Sequence, residues 1–361
     1  MQTMTAEPTT KTRLYAVDNL RIVLTVLVIA HHCAVTYGNI PLWFYTEPAQ
    51  DATGAVLDIL VVFNQAFFMG FFFLISGLFT PGSYERKGAR LFVRDRLVRL
   101  GIPLLVFLIL LRPLANFPGY LAVDMPYWQY YLLSWDPGPM WFVEVLIVFA
   151  LAFAAWRSLR APAGREPSPL TFPAIVLFVL GLAVVTALWR ILVPVGSYVP
   201  VLGLPTPYYL PQYASMFAIG CVAFRRGWFE SLPARAGWLG LVMAGVSAVV
   251  LLPLSAVTTG AVSSVLGALW ESAFAVSMII GLSVVFRRRF NDQGPRGRFL
   301  SEHAFTVYIV HPIVLVALGY ALSRLQAVAV VKFAIMLVLA LPLCWALAYA
   351  VRSLPGAKRV L

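Results

Sequence analysis

Charge is what this sequence has least of. Of its 361 residues only 12% are charged, against 61% hydrophobic, whereas a soluble domain carries about a quarter charged residues. That balance excludes a water-solvated globular protein of this length. Cysteine is scarce too: Cys33, Cys221 and Cys344 each lie inside a different apolar run, with no CxxC spacing and no adjacent histidine. They read as small buried hydrophobes, which excludes a disulfide framework and a metal site. Acidic residues number 15 against 27 basic ones, a net charge of +12. Such an excess could suit nucleic acid, but the lysines and arginines sit between apolar runs instead of along one face, so no nucleic-acid partner is expected. No internal repeat and no second soluble domain are evident.

What the sequence does have is long apolar runs. A helix needs about 20 apolar residues to cross some 30 Å of hydrocarbon. Windows of that kind fall roughly at 20–37, 56–80, 100–116, 140–157, 171–193, 208–224, 237–254, 262–286, 303–321 and 329–350. The expected fold is therefore an all-α membrane protein, a bundle of about ten transmembrane helices. Residues 1–12 form a polar, mobile N-terminal tail, 13–354 one transmembrane domain, and 355–361 a short basic C-terminal tail. The first run is broken by His31 and His32 and lacks a small-residue cleavage site, so it reads as a retained span and not a signal peptide.

Charge placement sets the orientation. Counting on alternate sides of these spans puts 23 of the 27 lysines and arginines on one side, leaving Arg112, Arg190, Arg324 and Lys332 on the other. Positive loops stay in the cytoplasm, so both termini are expected there, in the cell (plasma or inner) membrane. The opposite connections are aromatic and proline-rich: Tyr120, Tyr127, Trp128, Tyr130, Tyr131 and Trp135 in one, Tyr198, Tyr208, Tyr209 and Tyr213 about another. Such rings form interfacial belts, and they also offer a platform on which sugars stack.

A lipid-facing helix does not carry ionisable groups cheaply, yet the first span holds Asp18, Arg21, His31 and His32. With about 100° per residue and Asp18 at zero, Arg21, Thr25, His32 and Thr36 share one stripe about 60° wide, while His31 falls off it. Arg21 and His32 are separated by a rise of roughly 16 Å, which carries the stripe from the basic border to mid-membrane or beyond. Desolvation favours a neutral imidazole with a nitrogen able to accept a proton, as a general base or a nucleophile requires. A hydrogen-bonded packing histidine is the plainer alternative. Asp18 is about 21 Å from His32 along the helix, too far to orient its ring, and is assigned to Arg21 or to the mouth of the stripe. Glu144, near the outer end of the fourth span, is a candidate contact for a substrate. Glu302 and His311 in the ninth span suit polar packing better than catalysis, His311 standing before the helix-kinking Pro312. Glu271 and the Asn64–Gln65 pair read as polar glue between helices.

Several of these residues occur in a recognisable order. Asp18-Asn19-Leu20-Arg21 with His32 resembles the Arg-x10-His motif of the acyltransferase 3 family of integral membrane O-acyltransferases. Phe71-Phe72-Phe73-Leu74-Ile75-Ser76-Gly77 is similar to the family's aromatic run ending in Ser-Gly. Arg94-Asp95-Arg96 with Arg99 and Pro103 resembles its Arg-x-Arg element, and Tyr308-Ile309-Val310-His311-Pro312 its late Tyr-x-x-His-Pro. Gly138, Trp141 and Phe142 are similar to its Gly-x-x-Trp-Phe, although Pro139 stands where the family often has histidine. The opening tetrad and the paired His31–His32 also resemble the branch containing glucan succinylation proteins.

The resemblance implies transfer of an acyl group, of the acetyl or succinyl class, from cytoplasmic acyl-CoA to a hydroxyl across the membrane, usually on a carbohydrate or other glycan. It implies His32 and Arg21 as catalytic and Arg94, Arg96 and Arg99 as binders of the CoA phosphates, to which guanidinium forks are matched. Asp18, Trp141, Glu144, Glu302 and His311 are then acceptor or structural polar positions. No cofactor is tightly bound; acyl-CoA is a substrate. A proton-coupled transporter or flippase is the competing reading of the same buried stripe, weakened by the absence of an inverted repeat.

Overall fold

The computed structural model describes residues 14–40, 44–160, 164, 166–200 and 203–361; the tail at 1–12 lies outside them. Regular structure among these residues is helical, apart from an isolated bridge between Val199 and Leu204. In hydrocarbon no water is available to backbone N–H and C=O groups, so a chain this apolar satisfies them within helices. The helices are α1 (Tyr15–Tyr37), α2 (Gly54–Arg96), α3 (97–120), α4 (Tyr127–Leu133), α5 (Gly138–Ser158), α6 (Phe172–Leu192), α7 (Leu210–Arg226), α8 (Ala234–Val257), α9 (Gly260–Arg289), α10 (Pro295–Leu322) and α11 (Ala329–Ser353).

Among the described residues, eight helical segments are long and apolar enough to cross a membrane, against about ten windows expected from sequence. Two differences account for this. The windows at 56–80 and 100–116 fall in one helical run, Gly54–Tyr120, broken only by Gly88 with φ 72° and ψ 168°, a conformation that favours glycine. The window at 208–224 became α7, which has 17 residues. Within α3 and α8 the helix widens into π turns at Leu97–Gly101, Phe107–Leu111 and Ser247–Leu251. Each ends two residues before a proline, Pro103, Pro113 or Pro253. A proline cannot donate to the ladder and crowds the carbonyl four residues back, and a wider turn relieves both problems.

Helix α1 lies at the centre, packed on α2, α9, α10 and α11. Its apolar window is 67% buried with mean hydropathy 1.6, whereas that of α8 is 11% buried with mean hydropathy 2.2. The least apolar of these eight windows is thus enclosed and a more apolar one faces lipid, because polar groups in a membrane need protein partners. Helices α2 and α7 approach closely where Gly77 faces Gly220: a Cβ on Gly220 would sit 3.0 Å from Gly77 Cα and meet the α2 backbone. Small residues at such a crossing allow the packing that drives helix association in lipid.

Polar side chains fasten the helix ends. The Asn291 side chain accepts the Ala16 N–H at 3.1 Å, and Asn19 donates to the carbonyls of Phe290 and Asp292 at 2.8 and 3.0 Å, which ties the start of α1 to the α9–α10 loop. At the other end of the molecule Asp51 accepts the Ala329 N–H at 2.9 Å and Thr53 accepts that of Val330 at 3.1 Å. These are first-turn donors of α11 that have no partner inside their own helix. Thr53 and Ala329 hold the Asp51 carboxyl below its usual pKa.

Candidate active site

His32 projects from α1 toward α10. Its Nδ1 lies 3.0 Å from the Val28 carbonyl and 3.2 Å from His311 Nε2, and the two rings stack with centroids 5.0 Å apart. His311 Nδ1 lies 2.7 Å from the Tyr308 carbonyl. Acceptors fix the tautomers. A carbonyl can only accept, so in the neutral pair His311 carries its proton on Nδ1 and presents Nε2 as an acceptor. His32 Nδ1–H then donates toward Val28 O and His311 Nε2, and Nε2 of His32 carries the lone pair. That is the protonation state of a general base, held by a neighbour 279 residues away in the chain.

Three cavities follow one another along the stripe. The first, about 450 Å³, is walled by Asp18, Arg21 and Thr25 of α1, by Arg96 and Arg99, and by Glu302 and Arg352. Arg21 Nη1 lies 3.8 Å from Asp18 Oδ1. The second, about 260 Å³, is lined by His31, His32, Gln65, Tyr208, Tyr209, Trp270 and Glu271. Tyr308 and Met69 wall both the first and the second. The third, about 590 Å³, holds Tyr130, Trp135, Asp136 and Tyr198 and shares His32, Pro139 and Trp141 with the second. His32 thus stands where the middle and outer cavities meet, with Tyr308 between it and the arginines. The Tyr308 hydroxyl donates to the Pro139 carbonyl, which fixes the ring in that position.

The outer cavity has an ordered wall. Arg112, fully buried, donates to the carbonyls of Asp136 (2.7 Å), Tyr131 (3.2 Å) and Ser134, and its guanidinium lies 4.4 Å from the centroid of the Tyr131 ring and 5.2 Å from that of Trp135. Five donors in a planar fork suit one arginine to gather several carbonyls of one loop. Tyr198 donates to Asp136 Oδ2 at 2.7 Å; burial first, and that bond second, push its hydroxyl pKa above the usual value, so it stays a donor. Trp141 stacks on Tyr213 at 5.4 Å.

The sequence-predicted residues divide accordingly. Asp18, Arg21, Arg96, Arg99 and Glu302 wall the first cavity, and His32 and Trp141 the second and third. His311, read from sequence as a packing residue, is bonded to His32. Arg94 is exposed and Glu144 half-buried, and neither walls these cavities. Asn64 does join helices, donating to Leu27 O at 2.9 Å. Gln65 and Glu271 line the middle cavity, Gln65 donating to Tyr213 Oη at 2.9 Å and Glu271 pairing with Arg190. Sequence reasoning missed the roles of Asn19, Arg112, Asp136, Tyr198 and the Glu271–Arg190 pair. Each is defined by partners from another segment, and no local periodicity signals that.

An all-helical membrane bundle with a histidine pair between a basic and an aromatic cavity defines a polytopic membrane protein with a buried chemical site. The chain belongs to the acyltransferase 3 family, whose acyltransferase domain matches residues 14–349, and membership decides for an enzyme over a carrier. Among known proteins it is similar to glucans biosynthesis protein C of Salmonella schwarzengrund (strain CVM19633), 24% identical over 333 residues that cover 83% of this chain and 81% of the relative. The same protein of Salmonella agona (strain SL483) is 24% identical over 334 residues with the same coverage. No solved structure matches significantly.

Proposed function

We propose that this protein is a membrane O-acyltransferase that carries an acyl group from acyl-CoA at its arginine-rich end to a hydroxyl of a glucan-type carbohydrate at its aromatic end. The observation that carries this reading is the position of His32, on the wall of the outer cavity and one cavity away from Arg21, Arg96 and Arg99. The relatives' name, glucans biosynthesis protein C, supports the acceptor class.

The arginines bind the CoA phosphates through charge-assisted bonds, and the thioester reaches past Tyr308 to His32. His32 Nε2 takes the proton of the acceptor hydroxyl as its oxygen attacks the thioester carbonyl carbon. The C–S bond breaks, the CoA sulfur leaves with the electron pair, and His32 returns the proton to that sulfur. His311 Nε2, accepting from His32 Nδ1–H, stabilises the imidazolium between these steps, which favours a general base over an acyl-histidine.

The arginine-rich end faces the cytoplasm in this reading, with both termini there and ten crossings in the plasma or inner membrane. The crossings are the eight apolar segments, with the Gly54–Tyr120 run crossing twice, and α7. Three of the four cations that sequence counting put outside support this orientation. Arg112, Arg190 and Lys332 are buried, at 0%, 8% and 4% exposure, and so do not count as loop charges.

The test uses purified protein in lipid, labelled acetyl-CoA or succinyl-CoA and a panel of glucans. Transfer by wild type and its loss in His32→Ala, with CoA still bound, is the expected result. Transfer by His32→Ala at the wild-type rate would overturn the mechanism. CoA released by wild type in a stoichiometric burst without acceptor would replace the general base by an acyl-histidine.

A further inference from the structure

Away from the three cavities, helices α5 and α7 both pack on α2 and leave a groove of about 410 Å³ between them. Its floor is the contact of Phe149 with Phe217, ring centroids 5.4 Å apart. Phe153 also lines it, and it opens at the rim, where Trp156 and Val222 are 46% and 39% exposed. Among the described residues, the only charged side chain on its wall is Arg225. From Ala214 to Arg225 the lining rises by eleven residue steps along α7, roughly 16 Å, which is about half the hydrocarbon thickness of a bilayer. The groove therefore has the depth of one leaflet and ends at the arginine-rich end of the bundle.

Arg225 is incompletely satisfied. Its Nε and Nη2 are buried without a hydrogen-bond partner among the described residues, and its guanidinium carbon lies 5.7 Å from the centroid of the Trp156 ring. The nearby carboxylate of Glu166 lies 3.8 Å from Arg226 and is 80% exposed. Arg157, close to Trp156, adds positive charge. Buried guanidinium donors left without an acceptor are costly, and the chemistry that matches two of them is a phosphate.

We infer that this groove is a binding site for an anionic phospholipid, its phosphate on Arg225 and one acyl chain lying over Phe149 and Phe217. Basic pockets at the cytoplasmic ends of membrane helices hold anionic head groups by the same forces. A head group alone would forgo the groove, so a free glycerol phosphate binds far more weakly.

Native mass spectrometry of the full chain in detergent tests this with phosphatidylglycerol, phosphatidylcholine and glycerol 3-phosphate. Wild type should retain phosphatidylglycerol about tenfold better than phosphatidylcholine, as expected for a charge-assisted contact. Arg225→Gln should bring that ratio near one, and Arg225→Lys should lower it in part. Val222→Trp, which fills the groove, should weaken both lipids while melting as wild type does. A ratio unchanged in both Arg225 variants overturns the proposal, as does displacement of the lipid by equimolar glycerol 3-phosphate. Should Arg225→Gln fail to fold, Arg225→Lys decides alone, an unchanged ratio again being the negative result.

Discussion

The two ends of the polar stripe are lined by opposite chemistry. At one end Arg21, Arg96, Arg99 and Arg352 surround about 450 Å³ with cationic forks, beside the carboxylates of Asp18 and Glu302. At the other, Tyr130, Trp135, Trp141 and Tyr198 surround about 590 Å³ with ring faces, and Asp136 is the one acid among the described residues there. Forks suit a multiply charged phosphate compound, and ring faces with scattered hydroxyls suit a neutral polyol. Between them the histidine pair belongs to neither type, and in the proposed mechanism it is the place where two unlike substrates meet.

The largest effect should come from removing that meeting point. His32→Ala is expected to lower transfer roughly 10²–10⁴-fold, the usual contribution of a general base, with donor and acceptor binding retained in equilibrium assays. His311→Ala should cost about 10–100-fold in kcat, the worth of a hydrogen bond to a charged group. It should leave both KM values and move the acid limb of the pH–rate profile, which a merely structural residue would not do.

The two ends should then separate by kinetic constant. Arg96→Ala is expected to raise the donor KM about tenfold with acceptor KM unchanged, while Arg94→Ala, on the exposed face, leaves the donor KM within about twofold. Equal losses in the two variants would break the assignment of the basic cavity to the donor. Trp141→Ala should act in mirror image, raising the acceptor KM about 2–10-fold, as expected for one aromatic stacking contact.

The smallest effect concerns the fastening of α11. Asp51 has a depressed carboxyl pKa, so its contribution is present above the ordinary carboxylate range near pH 3.9 and is lost as pH falls through the lower folded value. Thermal melts at pH 7 and pH 3 should show a slightly larger acid-induced drop for wild type than for Asp51→Asn. An equal drop in both would remove Asp51 from the account.

How much of this was legible beforehand varies by residue. The stripe of Asp18, Arg21, Thr25 and His32 was readable because a helix repeats at a fixed angle, so one segment alone specifies its face. Arg96 and Arg99 were readable as a basic cluster, but their separation from Arg94 was not, since it depends on how the end of α2 leans on α5. His311 was visible as an intramembrane histidine, yet its contact with His32 joins positions 279 residues apart. Arg112 was misjudged for the same reason: counted as a loop charge, it is buried under the loop it organises.

By itself the sequence determined the solvent of this protein, its helical class and which face of α1 carries polar groups. Those follow from composition and from a period that needs no tertiary contact. Only the folded bundle decided that His32 meets His311, that Tyr308 parts the arginines from the histidines, and that Arg112 shapes the outer wall. Inside a membrane a polar side chain must be satisfied by protein, and the partner that satisfies it belongs to whichever helix packing brings near.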